Sequence, residues 1–245
     1  MAAAMARGWA GASGGPEEML FTDAGSGAAE RLATEVGGRA LSTNAELAAE
    51  TDLLILAMKP AELENMAGEV AAADSVVSLL AATPLARLHE ALPGASIVRV
   101  MPNVGVEVRS GVLCLAADEP AGELAGTVAE LLAPLGQVVR VEDRLMDAAT
   151  AVMGCSPAYV ALVAEALVEA GMREGLDDRL SYELVVKSLA GTAELLRKHD
   201  PLSVRRAVAS PGGSTAAGLA ALERGGARAT FADAVRASVA RMEES

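Results

Sequence analysis

The sequence predicts two domains: an α/β domain on a parallel sheet over residues 1–142, and an all-helical domain over residues 143–245. Three observations carry this. Helix and strand signals alternate through the first part, the pattern of a parallel sheet with helices on both faces. After Asp143 the strand signals stop and long Ala-, Leu- and Val-rich helical stretches follow. Hydrophobic residues make up 52% of the chain but aromatics only 2%, so the core has to be assembled from Ala, Leu, Val and Met, residues that suit closely packed helices.

Taken in order, residues 1–12 read as an Ala-rich helix, and Met19-Leu20-Phe21 centres a strand at 18–23. A helix at 28–36 is stopped by Gly37-Gly38, a short strand follows at 39–42, and Asn44 is placed to cap a helix at 45–50. Leu53-Leu54-Ile55-Leu56-Ala57 is a continuous apolar run of the kind a buried parallel strand needs. The pattern repeats as helix 61–73, strand 75–80, helix 84–91 and strand 96–101. Strand 111–116, helix 121–133 and strand 136–141 complete it. The helical part then runs through 158–169, 180–198, 215–224 and 229–243. Open α/β sheets bind ligands at the carboxyl ends of their strands. A cleft between that edge and the helical domain is therefore the expected site.

A Rossmann-like domain ordinarily opens with a strand and a glycine loop, G-x-G-x-x-G, before its first helix. This sequence starts inside what reads as that helix, so the usual first strand and glycine loop are lacking. Two explanations stand: a translation start placed too late, or a natural short form with a damaged cofactor site. The first is favoured because losing a central strand leaves two apolar strands unpaired.

The bulk properties exclude several classes. A net charge of −13 argues against nucleic acid, whose phosphates need basic patches, but leaves a small anionic substrate open. Cys114 and Cys155 lie far apart, and His89 and His199 have no Cys or His at ligand spacing, so no metal site is expected. Two isolated cysteines suit a reduced, cytoplasmic chain. No apolar run approaches the ~20 residues of a membrane span. The Ala-rich start lacks the Leu-rich centre of a signal peptide.

The most informative stretch is Ser210-Pro211-Gly212-Gly213-Ser214-Thr215, directly before a helix. Glycines let the backbone approach a ligand, Ser214 is a candidate N-cap, and the helix start offers free N–H groups and a positive dipole end for a carboxylate. Thr215 adds a hydroxyl beside that anion. Read without a ligand, the same stretch is an ordinary turn-to-helix entry.

Five segments together resemble the pyrroline-5-carboxylate reductase family. Met1-Ala2-Ala3-Ala4-Met5-Ala6-Arg7-Gly8 resembles the helix after its glycine loop. Leu56-Ala57-Met58-Lys59-Pro60 and Arg99-Val100-Met101-Pro102-Asn103 resemble two strand ends against the cofactor. Gly154-Cys155-Ser156-Pro157-Ala158-Tyr159 resembles the start of the interdomain helix, and Ser210 to Thr215 resembles the family's S-P-G-G-x-T. At 155 and 156 the usual Ser and Gly are replaced.

The resemblance implies reduction of 1-pyrroline-5-carboxylate to L-proline by hydride from NADPH or NADH, the last step of proline biosynthesis. It also implies a homodimer or larger homo-oligomer formed through the helical domain. Cofactor binding falls on Asn44, Ala57, Met58, Lys59, Pro60, Met101, Pro102 and Asn103. Substrate binding falls on Ser210, Gly212, Gly213, Ser214 and Thr215, with Thr215 as the catalytic hydroxyl. Asn44 is equally read as a helix cap and Asn103 as an Asx turn. NADPH is favoured on family grounds, while Asp23, an acid ending a strand, suits the ribose hydroxyls of NADH; Ser26 and Arg31 offer contacts to a 2′-phosphate instead. Two other readings remain: a dehydrogenase of 3-hydroxy acids, which would want a lysine on the interdomain helix where residues 158–171 have none, and a non-catalytic dimeric binding protein.

Overall fold

The computed structural model describes residues 1–244, and among these seven strands form two sheets. β1 (Leu20–Phe21) and β2 (Arg39–Ala40) pair in parallel, Leu20 opposite Arg39. β3 (Leu54–Leu56), β4 (Ser75–Ser78), β5 (Ser96–Pro102), β6 (Gly111–Ala116) and β7 (Gly136–Arg140) form a five-stranded sheet in chain order. β1 bonds only to β2, and β3 only to β4.

One expectation is corrected here. β6 runs antiparallel to β5, with Arg99 opposite Ala116 and Met101 opposite Cys114; every other pair is parallel. The reason is length. A parallel crossover needs a dozen or so residues, and residues 103–110 hold only a 3-10 turn, Val104–Val108, ended by Arg109 in the left-handed region.

The five-stranded sheet is buried on both faces, and its side chains alternate between them with period two. Leu54, Leu56, Val76, Ile97 and Met101 face one side, where α4 (Leu63–Ala67) and α5 (Leu85–Ala91) contribute Leu63, Leu85 and Leu88. Val77, Val98, Val100, Leu113 and Leu115 face the other, against Met5 and Trp9 of α1 (Ala2–Ala10) and Ala125, Val128 and Leu132 of α6 (Gly122–Leu132). Trp9 Nε1 donates to the Leu131 carbonyl at 2.9 Å, which satisfies the one polar atom of that indole.

Two glycines are demanded by close approach. A Cβ on Gly8 of α1 would lie 2.3 Å from the Val106 carbonyl oxygen, so glycine sets the distance between α1 and the turn after β5. Gly136 has φ +150 and a Cβ there would lie 2.0 Å from the Gly111 oxygen, so only glycine starts β7 against β6.

The chain divides into two compact units: Met1–Pro157 together with the chain from Ser238 onward, and Ala158–Ala237. The remaining helices of the first unit are α2 (Ala28–Val36), α3 (Asn44–Glu50) and α7 (Met146–Ala149), which runs on into a π-helical turn, Thr150–Gly154. α3 is capped by Thr43, not Asn44: Thr43 Oγ1 accepts from Glu46 N at 3.1 Å, and the Glu46 carboxylate accepts from Thr43 N, a reciprocal capping box. The helix expected over 61–73 shrinks to a 3-10 turn, Pro60–Glu62, and the short α4.

The second unit is helical, as its composition predicts. It contains α9 (Asp178–Leu196), α10 (Pro201–Val208) and α11 (Ser214–Arg224), and shares α8 (Ser156–Arg173) and α12 (Ala227–Glu243) with the first. α10 is absent from the sequence reading; Asp200 starts it by accepting from the backbone N–H groups of Leu202 and Ser203, with Pro201 in the first turn.

Within the single chain these helices leave much apolar surface bare, including Leu162, Leu184, Leu195, Leu222 and Phe231. The helical run Asp143–Arg173 is, by length and composition alone, apolar enough to cross a bilayer, with a mean hydropathy of 1.7 over its best window. That corrects the expectation that no run approaches such a length.

Candidate active site

The carboxyl ends of the parallel strands gather the polar residues of the first unit. After β1 come Thr22 and Asp23; after β2, Ser42, Thr43 and Asn44. A cavity of about 370 Å³ opens there, lined by Asp23, Ser42, Thr43, Asn44, Ala45 and Glu69. Its size lies within the usual range of small-molecule sites. Asn44 spans it: Oδ1 accepts from the Thr22 hydroxyl at 2.7 Å, and Nδ2 donates to Glu69 Oε2 at 2.7 Å. The amide orientation is thereby fixed. Glu69, which sequence reasoning missed, is thus part of this cavity; a lone acid between a short helix and β4 gives no sequence signal for that.

Asp23 turns its carboxylate into its own loop. It accepts from the Ser26 hydroxyl at 2.5 Å and from the backbone N–H groups of Gly25 and Ala28 at 3.0 and 2.6 Å. The Ser26 hydroxyl is the largest influence, followed by the Ala28 amide at the start of α2, and together they lower the carboxyl to a pKa of about 2. Arg31 Nη1 closes the same loop by donating to the Ser26 carbonyl at 3.3 Å. A depressed folded-state pKa stabilises the fold above the unfolded carboxyl's range near 4, and that contribution is lost as pH falls toward 2. Asp23→Asn therefore flattens the acid limb of the stability curve between about pH 4 and 2, measured by thermal unfolding across pH; an unchanged limb would show that the loop does not hold this charge.

The other strand ends are placed as follows. Ala57 and Lys59 are exposed beyond β3, Met58 packs on the core, and Pro60 opens the 3-10 turn. Lys59 has no ion-pair partner among the described residues. Met101 and Pro102 are buried at the end of β5. Asn103 takes its Asx-turn reading in full: Oδ1 accepts from Gly105 N and Val112 N at 3.2 and 3.1 Å, and Nδ2 donates to the Met153 carbonyl at 3.2 Å. Its side chain thus ties the end of β5 to the π-helical turn. Arg99, two residues before Met101 on the same strand face, is 2% exposed in its side chain and pairs with Asp143 at 2.9 Å and Asp147 at 3.0 Å. The sequence signals the need though not the partners: an arginine inside Ile97-Val98-Arg99-Val100-Met101 has to find anions.

In the second unit the Ser210 stretch forms a turn before α11. Gly213 N donates to the Ser210 carbonyl at 3.0 Å across Pro211 and Gly212, and Gly212 takes φ +73, the type II pattern with Pro then Gly. Two readings are corrected. Gly213, not Ser214, is the N-cap and no side chain caps the helix; and the Gly213 N–H is used by the turn. The first helix hydrogen bond to the cap runs from Ala217 N to Gly213 O, so the N–H groups of Ser214, Thr215 and Ala216 have no helix partner. The hydroxyls of Ser210, Ser214 and Thr215, all on exposed residues, are without a hydrogen-bond partner among the described residues. Three amides and three hydroxyls thus converge in sequence at one helix start with nothing among the described residues to satisfy them.

The α/β unit with its strand-end polar cavity and the helical unit with its unsatisfied helix mouth have the architecture of two-domain dehydrogenases, and the likeness to known proteins makes the chain an NAD(P)H-dependent oxidoreductase. Residues 143–245 match the family model described as pyrroline-5-carboxylate reductase dimerisation, and residues 1–82 match that described as NADP oxidoreductase coenzyme F420-dependent. The pyrroline-5-carboxylate reductase of a Synechocystis species is 36% identical over 237 residues, covering 94% of this chain and 88% of the relative. That of Thermus thermophilus is 35% identical over 232 residues, with the same coverage. The crystal structure of Plasmodium falciparum pyrroline carboxylate reductase with NADP bound superposes with a TM-score of 0.88 at 28% identity, covering 98% of this chain and 92% of that one. The chain belongs to the pyrroline-5-carboxylate reductase family. A 3-hydroxyisobutyrate dehydrogenase from Mycobacterium tuberculosis, at 18% identity and a TM-score of 0.52, shares the fold alone.

Proposed function

We propose that this chain reduces 1-pyrroline-5-carboxylate to L-proline, with the helix mouth at Ser210–Thr215 binding the substrate. The observation that carries the reading is the set of unsatisfied N–H groups and hydroxyls at the start of α11. The amides of Ser214, Thr215 and Ala216, with the Ser210 hydroxyl, hold the carboxylate; the helix dipole favours that charge. Thr215 Oγ1 bonds the ring nitrogen and orients it. Holding both ends of a small ring fixes the face that it presents, and such positioning supplies a large share of many rate enhancements.

The polar cavity of the first unit supports this reading for one end of the cofactor. Asn44 and the strand ends Ala57–Pro60 and Met101–Asn103 would hold it, and the reduced nicotinamide supplies the hydride when bound. NADPH is the proposed form. The Asp23 carboxylate is already saturated by Ser26 and the α2 amides, and Arg31, in the first turn of α2, stands beside the same loop to meet a 2′-phosphate; the Plasmodium relative's structure contains NADP. The bare apolar helices of the second unit are the proposed homodimer face, in line with the dimerisation model that matches them. Free cysteines at 114 and 155 support a cytoplasmic setting.

The test is turnover by the purified chain. NADPH absorbance falls in step with proline formation when 1-pyrroline-5-carboxylate is added, and NADH is used less efficiently by kcat/KM. NADPH binding without oxidation would instead support the non-catalytic binding protein.

A further inference from the structure

We infer that Asn103 is a positioning residue for the reaction: its side-chain amide supplies Met153 with the hydrogen bond that Pro157 withholds, and so seats the start of α8 on the strand end proposed for the cofactor. The inference rests on the function proposed above and adds one residue's part in it. The helical run from α7 into α8 is broken between the π-helical turn and Ser156. Cys155 N donates to the Thr150 carbonyl at 3.1 Å, which closes the π-helical turn. In an unbroken α-helix the Met153 carbonyl would accept from the N–H four residues on. That residue is Pro157, which has none. Met153 is half-buried against the core, where a bare carbonyl is costly. Asn103 Nδ2 fills the place, donating to the Met153 carbonyl at 3.2 Å.

The amide can do this because its other end is fixed. Asn103 Oδ1 accepts from Gly105 N and Val112 N, its own N–H donates to the Val112 carbonyl, and its carbonyl accepts from Val106 N. These bonds hold the end of β5, the turn after it and the start of β6 in one geometry. The strand end that carries Met101 and Pro102 is therefore joined, through one side chain, to the carbonyl that Pro157 leaves bare. Pro157 is also where the chain leaves the first unit for the second. π-Helical turns recur at functional sites, and this one is tied to a strand end proposed to hold the cofactor. That strand end holds the cofactor as a segment, and Asn103 sets where the segment and the start of α8 lie. A displacement of about 1 Å at such a place slows a reaction strongly.

The experiment is a double-mutant cycle on Asn103→Asp and Pro157→Ala in the full chain. It is read by steady-state kinetics, by NADPH binding through nicotinamide fluorescence and by thermal unfolding. Asn103→Asp keeps the oxygen that Gly105 and Val112 need and removes only the donor. It lowers kcat about 10-fold, while the NADPH dissociation constant stays within about 3-fold of wild type. Pro157→Ala alone keeps kcat within about 3-fold, because it adds a donor and takes none away. In the double variant the alanine introduced at 157 donates to the Met153 carbonyl, and kcat returns to within about 3-fold of wild type. A loss in Asn103→Asp that Pro157→Ala leaves unrepaired would overturn the assignment. So would an equal loss in NADPH binding, which would make the side chain a direct cofactor contact, or an unchanged kcat, which would leave the bond a support of the fold alone. Should Asn103→Asp not fold, the double variant still has to fold and turn over, and its failure overturns the assignment too. A wild type that binds NADPH without oxidising it would instead remove the proposed reaction, and this role with it.

Discussion

Thr215→Ala lowers kcat by about 100-fold, the scale on which enzymes lose rate when one positioned hydrogen-bonding group at the reacting centre is removed. The fold survives, because Thr215 is exposed at the first turn of α11 and its hydroxyl bonds nothing else among the described residues. The loss falls on kcat rather than on substrate KM, since the carboxylate grip belongs to the backbone amides and Ser210. Thr215→Ser recovers much of the rate because the hydroxyl returns. Steady-state kinetics of the three proteins, with circular dichroism as the control for folding, decide the matter. A Thr215→Ala enzyme within about 3-fold of wild type would take Thr215 out of the mechanism.

Asp143→Ala destabilises the first unit by about 3–5 kcal/mol, the range for breaking a buried ion pair from one side. The magnitude follows from which partner is left behind. The Arg99 side chain is 2% exposed and cannot recover water, whereas Asp143 is 24% exposed and Asp147 35%. Removing Asp143 leaves a buried guanidinium with one anion, and it also strips the acceptor from the Leu85 N–H, bonded at 3.0 Å to Asp143 Oδ2. Arg99→Met costs less, about 1–2 kcal/mol, because the carboxylates that it frees already reach water in part and the methionine fills apolar space. Urea unfolding of the two variants tests the ranking. A smaller loss for Asp143→Ala than for Arg99→Met would mean that the guanidinium reaches solvent.

Much of this architecture was legible in residue pattern. Leu53 to Ala57 announced a buried strand through its unbroken apolar run, and β3 is found within it. The helix at 28–36 ends at Gly37, in the left-handed region, as a glycine at a helix C-terminus predicts. What escaped depended on partners distant in sequence or on choices between neighbours. Thr43 rather than Asn44 caps α3 because Glu46 completes the box with it. β6 reverses because the preceding link is too short to cross the sheet, a constraint of length that no apolar pattern carries.

The candidate site divides in the same way. The Ser210 turn was readable because Pro-Gly before a helix fixes its geometry locally. The pairing of Asn44 with Glu69 joins residues 25 apart, and that of Arg99 with Asp143 and Asp147 joins residues 44 and 48 apart. Only the folded sheet edge brings such residues together.

The most direct measurement is a crystal structure of the chain soaked with L-proline. The account predicts the product's carboxylate on the free amides of Ser214 and Thr215 beside the Ser210 hydroxyl, with its ring nitrogen within hydrogen-bond reach of Thr215 Oγ1. Proline bound with its carboxylate anywhere else in the molecule would contradict it.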